Sequence, residues 1–383
     1  MRLIGGGDME GFHGYTSLSE EERIYLNYLL HVPGFGKKSM KSLLGLYGSM
    51  KDIMLAGKED LCFAIGEDLG QKVWYARKTY PMEAEFKKLQ ENGIHLVMYG
   101  EQEYPDRLLD LADAPMALYY KGSLPAEEKK SVAIIGARNC TSYGRYAAEE
   151  YGYALAKAGV QIISGMALGV DGIAQQAAFA AGGTSYGVLG CSVDVCYPKC
   201  NRPLYDSLAT KGGLISEYVP TTQPIAKLFA PRNRIISGLA DLVLVVEAKV
   251  KSGTSITVDM ALEQGREVFA LPGRNCDIFS AGCNKLIKQG AGMACSPDDV
   301  LLALGLKEAQ TGPHKKRPKL EKEQEAILSI LDTVPMGVDE ILSALREKSM
   351  SVTIQEVLCQ LLVLTAMDLV EQVGGMYVLK NFS

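Results

Sequence analysis

Residues 132–144 read VAIIGARNCTSYG and mark the point at which an apolar strand leaves the core of the protein. The run of β-branched and small apolar residues ends at Gly136, as a strand does at the first turn of a dinucleotide-binding site. Arg138, however, stands where the G-x-G-x-x-G pattern needs its second glycine. A guanidinium at this position favours an anion that is held by a charged side chain rather than by the backbone alone.

Apolar runs and helical patterns alternate around this stretch, from residue 131 to residue 305. Strands that are apolar throughout and separated by helices predict a parallel sheet covered on both faces. We therefore predict a doubly wound α/β core whose ligand lies at the carboxyl ends of the strands. The predicted strands are SVAIIGA, VQIISGM, TSYGVLG, GLISEY, DLVLVVEA and REVFALPG, and the predicted helices lie near 142–158, 170–182, 201–212, 231–240 and 255–265.

A helical segment precedes this core. Within residues 18–80, the stretch HVPGFGKKSMKSLL (31–44) has the outline of a helix-hairpin-helix. Its turn would aim backbone N–H groups, together with Lys37 and Lys38, at a DNA phosphate. A plain αα-hairpin with a glycine turn is the alternative, because no second copy of the motif is visible.

Beyond the core, the polar and basic stretch TGPHKKRPKLEKEQ (311–324) predicts a linker. Three helical patterns and a hairpin with Gly374-Gly375 as its turn follow, which is the order of elements in a winged-helix domain. The predicted domains are an N-terminal helical domain (1–80), the core (81–307), a basic linker (308–322) and a winged-helix domain (323–383).

Composition limits the class of protein and of partner. The chain has 383 residues, of which 47% are hydrophobic and 22% charged, as in ordinary globular proteins. No apolar run is long enough to span a bilayer, and no basic-then-apolar signal opens the sequence. Nine irregularly spaced cysteines favour reduced thiols and a cytoplasmic location. Because the net charge is −5, an anionic partner needs a local basic site.

Four segments at predicted strand ends are rich in Gly, Ser and Thr and carry basic residues. Glycines there let backbone N–H groups approach an anion, and the helix N-termini behind them add partial positive charge. Ordinary βα turns also favour glycine, but four such loops on one sheet predict an anion-binding rim. Its candidate residues are Gly136, Arg138, Thr141, Tyr143, Ser164, Gly165, Lys199, Lys251, Ser252, Gly253 and Thr254.

The surroundings of this rim favour a polynucleotide over a mononucleotide. The second strand ends in Ser164-Gly165 and not in the acidic residue that binds a ribose, and no Walker motif is present. Basic side chains lie near Tyr143 and Tyr197, and cations interleaved with aromatic rings suit a single strand. Arg232 and Arg234 are further candidates, although at least one is expected to pair with Glu217 or Asp241.

Candidate groups for catalysis are sparse. None of His13, His31, His95 and His314 falls in the strand-end loops, and the spacing of Cys191, Cys196 and Cys200 does not indicate a metal site. We interpret the carboxylates near the rim as helix caps or ion-pair partners: Asp171, Asp194, Glu217, Glu247 and Asp259. The sequence therefore predicts no catalytic residue, no metal and no cofactor.

Several phrases of the core, in order over roughly residues 80–305, resemble the DprA/Smf family of DNA-processing proteins, which act in natural transformation. The phrases are YPDRLLDLADAPMALYYKG, VAIIGARNCTSYG, SGMALGVDGIAQQAA, YPKCN, PRNRIISGLADLVLVVEA, SGTSITVDMALEQGREVFALPG and GCNKLIKQGA.

This resemblance implies an extended Rossmann-like core. A helical domain of the helix-hairpin-helix or SAM-like type precedes it, and a winged-helix tail follows it. It also implies a homodimer that binds single-stranded DNA and loads the RecA recombinase onto it. The family pattern assigns DNA contacts to Arg138 and to the basic residue before Ser-Gly, here Lys251, with Lys249 as the alternative.

The core is also similar to nucleoside-phosphate hydrolases that cut an N-glycosidic bond, and a nucleotide-processing enzyme is therefore the alternative function. In that comparison the loop Ser252-Gly253-Thr254 would bind phosphate, and Glu263 is the nearest following glutamate. The loop lacks most of the Pro-Gly-Gly-x-Gly-Thr pattern that such enzymes carry.

The predicted winged helix does not have the charge of a DNA reader. Its third helical pattern, SVTIQEVLCQLLVLTAMD (351–368), contains no lysine or arginine, and a recognition helix needs such residues for phosphates. From Glu321 onward, acidic residues outnumber the four basic ones. The tail is therefore expected to contact protein, either the core or a partner.

Overall fold

The computed structural model describes residues 18–307 and 320–379, except residues 333, 349, 351 and 368. The chain divides between residues 307 and 308 into two units, each with its own hydrophobic core. Most of the predicted linker, 308–322, lies outside the described residues, so the division into four domains stays a prediction.

A nine-stranded sheet organises the first unit, and its strands follow the order β1-β2-β6-β5-β4-β3-β7-β8-β9. From β6 to β9 every neighbouring pair is parallel, and all six predicted strands are confirmed as β3 to β8. The strands are β1 (His95–Met98), β2 (Ala117–Gly122), β3 (Ser131–Ile135), β4 (Gln161–Ser164), β5 (Ser185–Val188), β6 (Gly213–Ser216), β7 (Leu242–Val245), β8 (Glu267–Ala270) and β9 (Gly292–Met293).

One edge of the sheet lies outside the predicted parallel strands. β2 runs antiparallel to both β1 and β6, and neither β1 nor β2 belongs to the predicted segment 131–305. The chain returns from β1 through residues 99–116 and re-enters the sheet in the opposite direction. An antiparallel edge on an otherwise parallel sheet is common in doubly wound folds, and it leaves the parallel centre unchanged.

Fourteen helices are described in the first unit, and eight of them follow β1. Residues that alternate along β3 pack into two apolar layers, Ala133 and Ile135 on one face, Val132 and Ile134 on the other. The helices are α1 (Glu20–His31), α2 (Lys37–Tyr47), α3 (Met50–Leu55), α4 (Lys58–Ile65), α5 (Glu67–Thr79), α6 (Met82–Glu91), α7 (Asp106–Leu109), α8 (Ser142–Lys157), α9 (Val170–Ala180), α10 (Arg202–Lys211), α11 (Ala226–Gly238), α12 (Gly253–Glu263), α13 (Ala281–Lys288) and α14 (Pro297–Ala303).

The helix predicted near 231–240 is longer than the sequence pattern indicates. α11 begins at Ala226, so Pro231 lies inside the helix rather than in its first turn. Proline removes one helical hydrogen bond at most and is usually found near a helix start, which is why the sequence pattern placed the start there. The hydroxyl of Tyr218 donates to the Leu228 carbonyl and so ties the extra turn to the loop after β6.

The predicted hairpin near the N-terminus consists of α1 and α2, and its turn contains Gly34 at φ +88°, a left-handed conformation that favours glycine. Buried Glu101 accepts a hydrogen bond from the Leu18 amide and pairs with Arg23 at 2.7 Å, which joins this region to the sheet edge. The Lys37 ammonium lies 5.2 Å from the centre of the Tyr99 ring. A DNA contact by this hairpin stays a prediction.

The second unit contains three helices and a hairpin, in the predicted order. The helices are α15 (Lys322–Leu328), α16 (Val338–Glu347) and α17 (Ile354–Ala366), and the antiparallel strands are β10 (Val370–Val373) and β11 (Met376–Leu379). Gly374 and Gly375 form the hairpin turn, both at positive φ, as predicted. The assignment of these elements to a winged-helix domain stays a prediction.

All nine cysteines are free thiols, and no cluster of potential metal ligands occurs within the described part of the chain. Among residues 18–307 and 320–379, no helix is both long enough and apolar enough to cross a membrane.

Candidate functional site

The order in which the chain adds strands to the parallel sheet reverses at β3. β3 lies between β4, which the chain enters next, and β7, which it enters after crossing back over the sheet. The loops that leave two such strands diverge, and a crevice opens at their carboxyl ends. A cavity of about 480 Å³ occupies this position, and we call it the switch-point cleft.

The loop after β3 forms one wall of the cleft and contains Arg138. The Arg138 side chain is exposed, and its guanidinium carbon lies 5.8 Å from the centre of the Phe229 ring. Gly169, at φ +72°, lets the backbone pass directly beneath this loop, because a Cβ there would lie 2.4 Å from the Arg138 carbonyl oxygen. The backbone of Arg138 is therefore held closely while its charged end reaches the cleft.

The loop after β7 and the start of α12 form the opposite wall. Ser252 is the N-cap residue of α12, and its buried hydroxyl has no hydrogen-bond partner within the described residues. The amide groups of the first turn, from Gly253 onward, carry the partial positive charge of a helix N-terminus. Lys249 also lines this wall, with its ammonium 4.9 Å from the centre of the Phe279 ring.

Arg232 forms part of the floor of the cleft and is only 5% exposed. Its guanidinium donates to the carbonyls of Gly165, at 3.1 Å, and Val188. Burial lowers the pKa of Arg232 to about 10, against the opposing effect of Asp171. Burial also raises the pKa of Asp171, which accepts a hydrogen bond from the Gly165 amide. Arg232 adds positive charge to the floor, but its hydrogen bonds are made to backbone carbonyls and stabilise the strand ends.

Arg234 points away from this cleft, as expected for two residues that are two apart on a helix. Its guanidinium donates to both Glu217 oxygens, at 2.7 and 2.6 Å, and lies 2.9 Å from an Asp113 oxygen. The predicted pairing of one of these arginines with Glu217 is therefore confirmed for Arg234. Its charge is neutralised locally, and the geometry gives no support to its role as an anion contact.

Two other predicted residues are bound within the protein. The Thr141 hydroxyl donates to Glu247 and accepts from the Gly144 amide, so that it caps α8. The Tyr143 hydroxyl donates to the Pro272 carbonyl at 3.1 Å, and burial raises its pKa to about 12. The Tyr143 ring packs against the apolar layer around α8 and is not presented for stacking.

Ser164 and Gly165 contribute to the floor through their backbone. The Ser164 side chain is fully buried and donates to the Ile134 carbonyl. A Cβ on Gly165 would lie 2.8 Å from an Asp171 oxygen and 2.9 Å from an Arg232 nitrogen, so only glycine allows this buried charge pair to approach the strand end.

Two predicted cations lie beside the cleft rather than in its lining. Lys199 is exposed in a short 3₁₀ turn, Lys199–Asn201, and Lys251 is exposed one residue before the α12 cap. Of the two lysines in the loop after β7, Lys249 lines the cleft and Lys251 does not. Roles for Lys199 and Lys251 in binding stay predictions.

The sequence of the core matches the family described as DNA recombination-mediator protein A over residues 95–305. The chain belongs to this family. It is 43% identical to the DNA processing protein DprA of Streptococcus pneumoniae over 198 residues, 52% of this chain and 70% of the relative. It is 36% identical to the protein Smf of Escherichia coli over 309 residues, 79% of this chain and 82% of the relative.

Solved structures of the family agree with the fold of the first unit. The crystal structure of DprA from Streptococcus pneumoniae is 33% identical, has a TM-score of 0.65 and covers 73% of this chain and 97% of its own. A DprA structure from Helicobacter pylori, described as giving its single-stranded DNA binding mode, is 31% identical with a TM-score of 0.51. It covers 55% of this chain and 95% of its own.

The cleft also contains residues that sequence patterns did not single out. Phe229 lies beneath Arg138 and contacts Tyr197, with 5.5 Å between the ring centres. Phe279 reaches the cleft from the loop between β8 and α13. Its place in the sequence gives no signal, because it meets Lys249 only when β7 and β8 align in the sheet.

The alternative catalytic glutamate lies far from the cleft. Glu263 is the last residue of α12 and is exposed. At 1.5 Å per residue, it lies roughly 15 Å along the helix from the Ser252–Thr254 end. Asp171, the carboxylate in the cleft floor, is engaged with the Gly165 amide. The geometry therefore gives no support to catalysis through Glu263.

Replacement of Arg234 tests its structural role. Arg234→Ala should lower the free energy of unfolding by about 2–4 kcal/mol, because it leaves the Glu217 carboxylate largely buried and without its partner. Urea denaturation followed by circular dichroism measures this change. Arg202→Ala, which removes an exposed arginine paired with Asp206, is the control and should leave stability nearly unchanged. Equal effects of the two substitutions would contradict the structural role of Arg234.

Proposed function

We propose that this protein binds single-stranded DNA in the switch-point cleft during natural transformation. It protects the incoming strand in the cytoplasm and helps to load the RecA recombinase onto it. Support comes from its membership of the recombination-mediator family and from the relative that is described as binding single-stranded DNA. The observation that carries the proposal is the exposed Arg138 guanidinium, which lies over Phe229 at the wall of the cleft.

The charge distribution explains how a chain of net charge −5 can hold a polyanion. Arg138 and Lys249 line opposite walls, Arg232 lies in the floor, and the N-terminus of α12 adds partial positive charge. Phosphates of a single strand would contact Arg138, Lys249 and the helix end, with Arg232 adding charge from below, while bases stack on neighbouring rings. Binding of this kind tolerates any base sequence and weakens with salt, because counterions are released from the strand.

The geometry divides the candidate residues into two groups. We propose contacts to the strand by Gly136, Arg138, Lys249, Ser252, Gly253 and Thr254, with Lys199 and Lys251 as further phosphate contacts beside the cleft. Thr141, Ser164, Gly165 and Arg232 shape the loops through buried hydrogen bonds. Tyr143 and Arg234 are proposed to act only in the fold.

We further propose that the winged-helix tail serves protein contacts and that the chain acts without catalysis. A gel shift with oligo-dT beside a nucleotide-hydrolysis assay separates binding of single-stranded DNA from nucleotide processing. A shift without hydrolysis is expected. Hydrolysis without a shift would favour the nucleotide-processing alternative.

Arg138→Ala should weaken binding to oligo-dT by about 1–3 kcal/mol, or about 5- to 150-fold, because a charge-assisted phosphate contact is lost. The slope of log affinity against log salt should fall by about 0.7, since one fewer phosphate is neutralised. Fluorescence anisotropy at several salt concentrations measures both quantities. Lys249→Ala should act in the same direction.

The control for Arg138→Ala is Lys157→Ala, which removes one exposed positive charge at the far end of α8. It should change the affinity little. If Arg138→Ala binds no more weakly than Lys157→Ala, the cleft is not the DNA site.

A chain that ends at Lys307 should keep most of its affinity for oligo-dT. The structural boundary between residues 307 and 308 allows the first unit to be produced alone, and the third helix of the second unit contains no lysine or arginine. Anisotropy of the truncated and full chains provides the comparison. A loss above about tenfold, roughly 1.4 kcal/mol, would place the tail or its basic linker in the binding site.

The chain should form a homodimer through the core, because one short basic cleft gains little on a flexible strand. Two linked clefts raise the effective concentration of each for the strand and hence the avidity. Sedimentation equilibrium at micromolar concentration should give a dimer. If sedimentation shows only monomers under these conditions, avidity is ruled out as the source of the affinity.

A further inference from the structure

The first turn of α8 lies where doubly wound proteins bind phosphate. It follows β3 through the turn 136–141, and β3 adjoins β7 in the sheet. In nucleotide-binding proteins of this architecture, the pyrophosphate occupies the N-terminus of that helix. In this protein the same position is already filled by a side chain of the chain itself.

That side chain is Glu247, which follows β7 and is fully buried. One carboxylate oxygen accepts a hydrogen bond from the Thr141 amide at 2.9 Å, and the other accepts from the Thr141 hydroxyl. Thr141 is the N-cap residue of α8. The carboxylate therefore contacts the donors that cap the positive end of the helix.

Gly144 provides the space for this carboxylate. A Cβ at Gly144 would lie 2.2 Å from a Glu247 oxygen, closer than any two such atoms can approach. Glycine in the first turn of a helix is unfavourable relative to alanine, so its presence here needs a packing reason. The reason is the glutamate, and the pair Gly144 and Glu247 forms one unit.

The negative charge of Glu247 is met by these donors and by the helix end. Within the described residues, no lysine, arginine or histidine forms an ion pair with it. A buried carboxylate requires such compensation, because water is absent. In other proteins the positive field of a helix N-terminus attracts a ligand phosphate. Here that field stabilises the carboxylate of Glu247.

We propose that Glu247 is a built-in anion with two consequences for the proposed DNA site, on which this inference rests. It excludes the phosphate of a free nucleotide from the N-terminus of α8. It also fixes the turn 136–141 at Thr141, three residues after Arg138, so that the guanidinium projects into the switch-point cleft. Glu247 is thus a positioning residue that also determines specificity.

The first test is Glu247→Gln, which keeps the shape of the side chain and removes its charge. Binding to oligo-dT should fall by about 5- to 10-fold, because an amide cannot accept both Thr141 hydrogen bonds and the turn loosens. Glu267→Gln, at an exposed site on β8, makes the same change in net charge and should bind as tightly as the wild type or slightly more so. Equal affinity of the two variants would overturn the positioning role.

A double-mutant cycle separates positioning of Arg138 from a general structural effect. In the Arg138→Ala background, Glu247→Gln should change the affinity by less than about twofold, because the side chain that it positions is absent. The same 5- to 10-fold loss in both backgrounds would show that Glu247 acts independently of Arg138.

The second test uses Glu247→Ala and inorganic pyrophosphate. Removal of the carboxylate frees the N-terminus of α8, so pyrophosphate should raise the melting temperature of this variant more than that of the wild type, in which only the cleft is open to it. Equal shifts would overturn the exclusion role. If Glu247→Ala does not fold, the same pyrophosphate experiment is run on Glu247→Gln, which removes the charge that repels phosphate.

Failure of this inference can be told from failure of the proposed function. If the wild type does not bind oligo-dT, the proposed function fails, and the pyrophosphate experiment still decides the exclusion. If the wild type binds and Arg138→Ala weakens binding while Glu247→Gln does not, only the inference fails.

Discussion

The cleft depends on the burial of the Arg232 guanidinium at the carboxyl ends of the parallel strands. The guanidinium donates to carbonyls at the carboxyl ends of β4 and β5, and Asp171 lies beside it. A buried charge is stable only when such partners surround it, so the loops that supply them cannot move apart without a large penalty. The floor of the cleft is therefore rigid, and the exposed side chains on its walls are carried by loops with defined positions.

Exposed charges on the walls and buried charges in and around the floor have different roles. Arg232, Asp171 and Glu247 are buried and hold backbone groups. Arg138 and Lys249 are exposed, each near an aromatic ring, and remain available to a ligand. A protein with an excess of acidic residues can thus present a basic surface locally, because its buried carboxylates are satisfied by hydrogen bonds rather than by the exposed cations.

The sequence predicts the parts of this site that arise from short, local patterns. The strands β3 to β8 and the turn at Gly136 follow from apolar runs and glycines within a few residues. The two-residue spacing of Arg232 and Arg234 likewise indicates that one of them pairs with an acidic side chain, which proves to be Glu217. Phe279 and the choice of Lys249 over Lys251 could not be predicted, because they depend on which loops meet when β7 and β8 align. The inward direction of Tyr143 was missed because a tyrosine near cations satisfies the stacking pattern whichever way it points.

An internal carboxylate at the N-terminus of α8 changes the kind of anion that this architecture can recognise. A backbone cradle at a helix end suits one phosphate in one orientation, as a nucleotide presents it. Glu247 fills that cradle, and the proposed function therefore assigns recognition to exposed side chains on the walls of an open cleft. Arg138 and Lys249 have flexible ends that can follow successive phosphates of a strand, whichever bases it carries. In the proposed function, Arg138 in place of a glycine in the first turn and Glu247 buried behind that turn act together, and both favour a polynucleotide over a nucleotide.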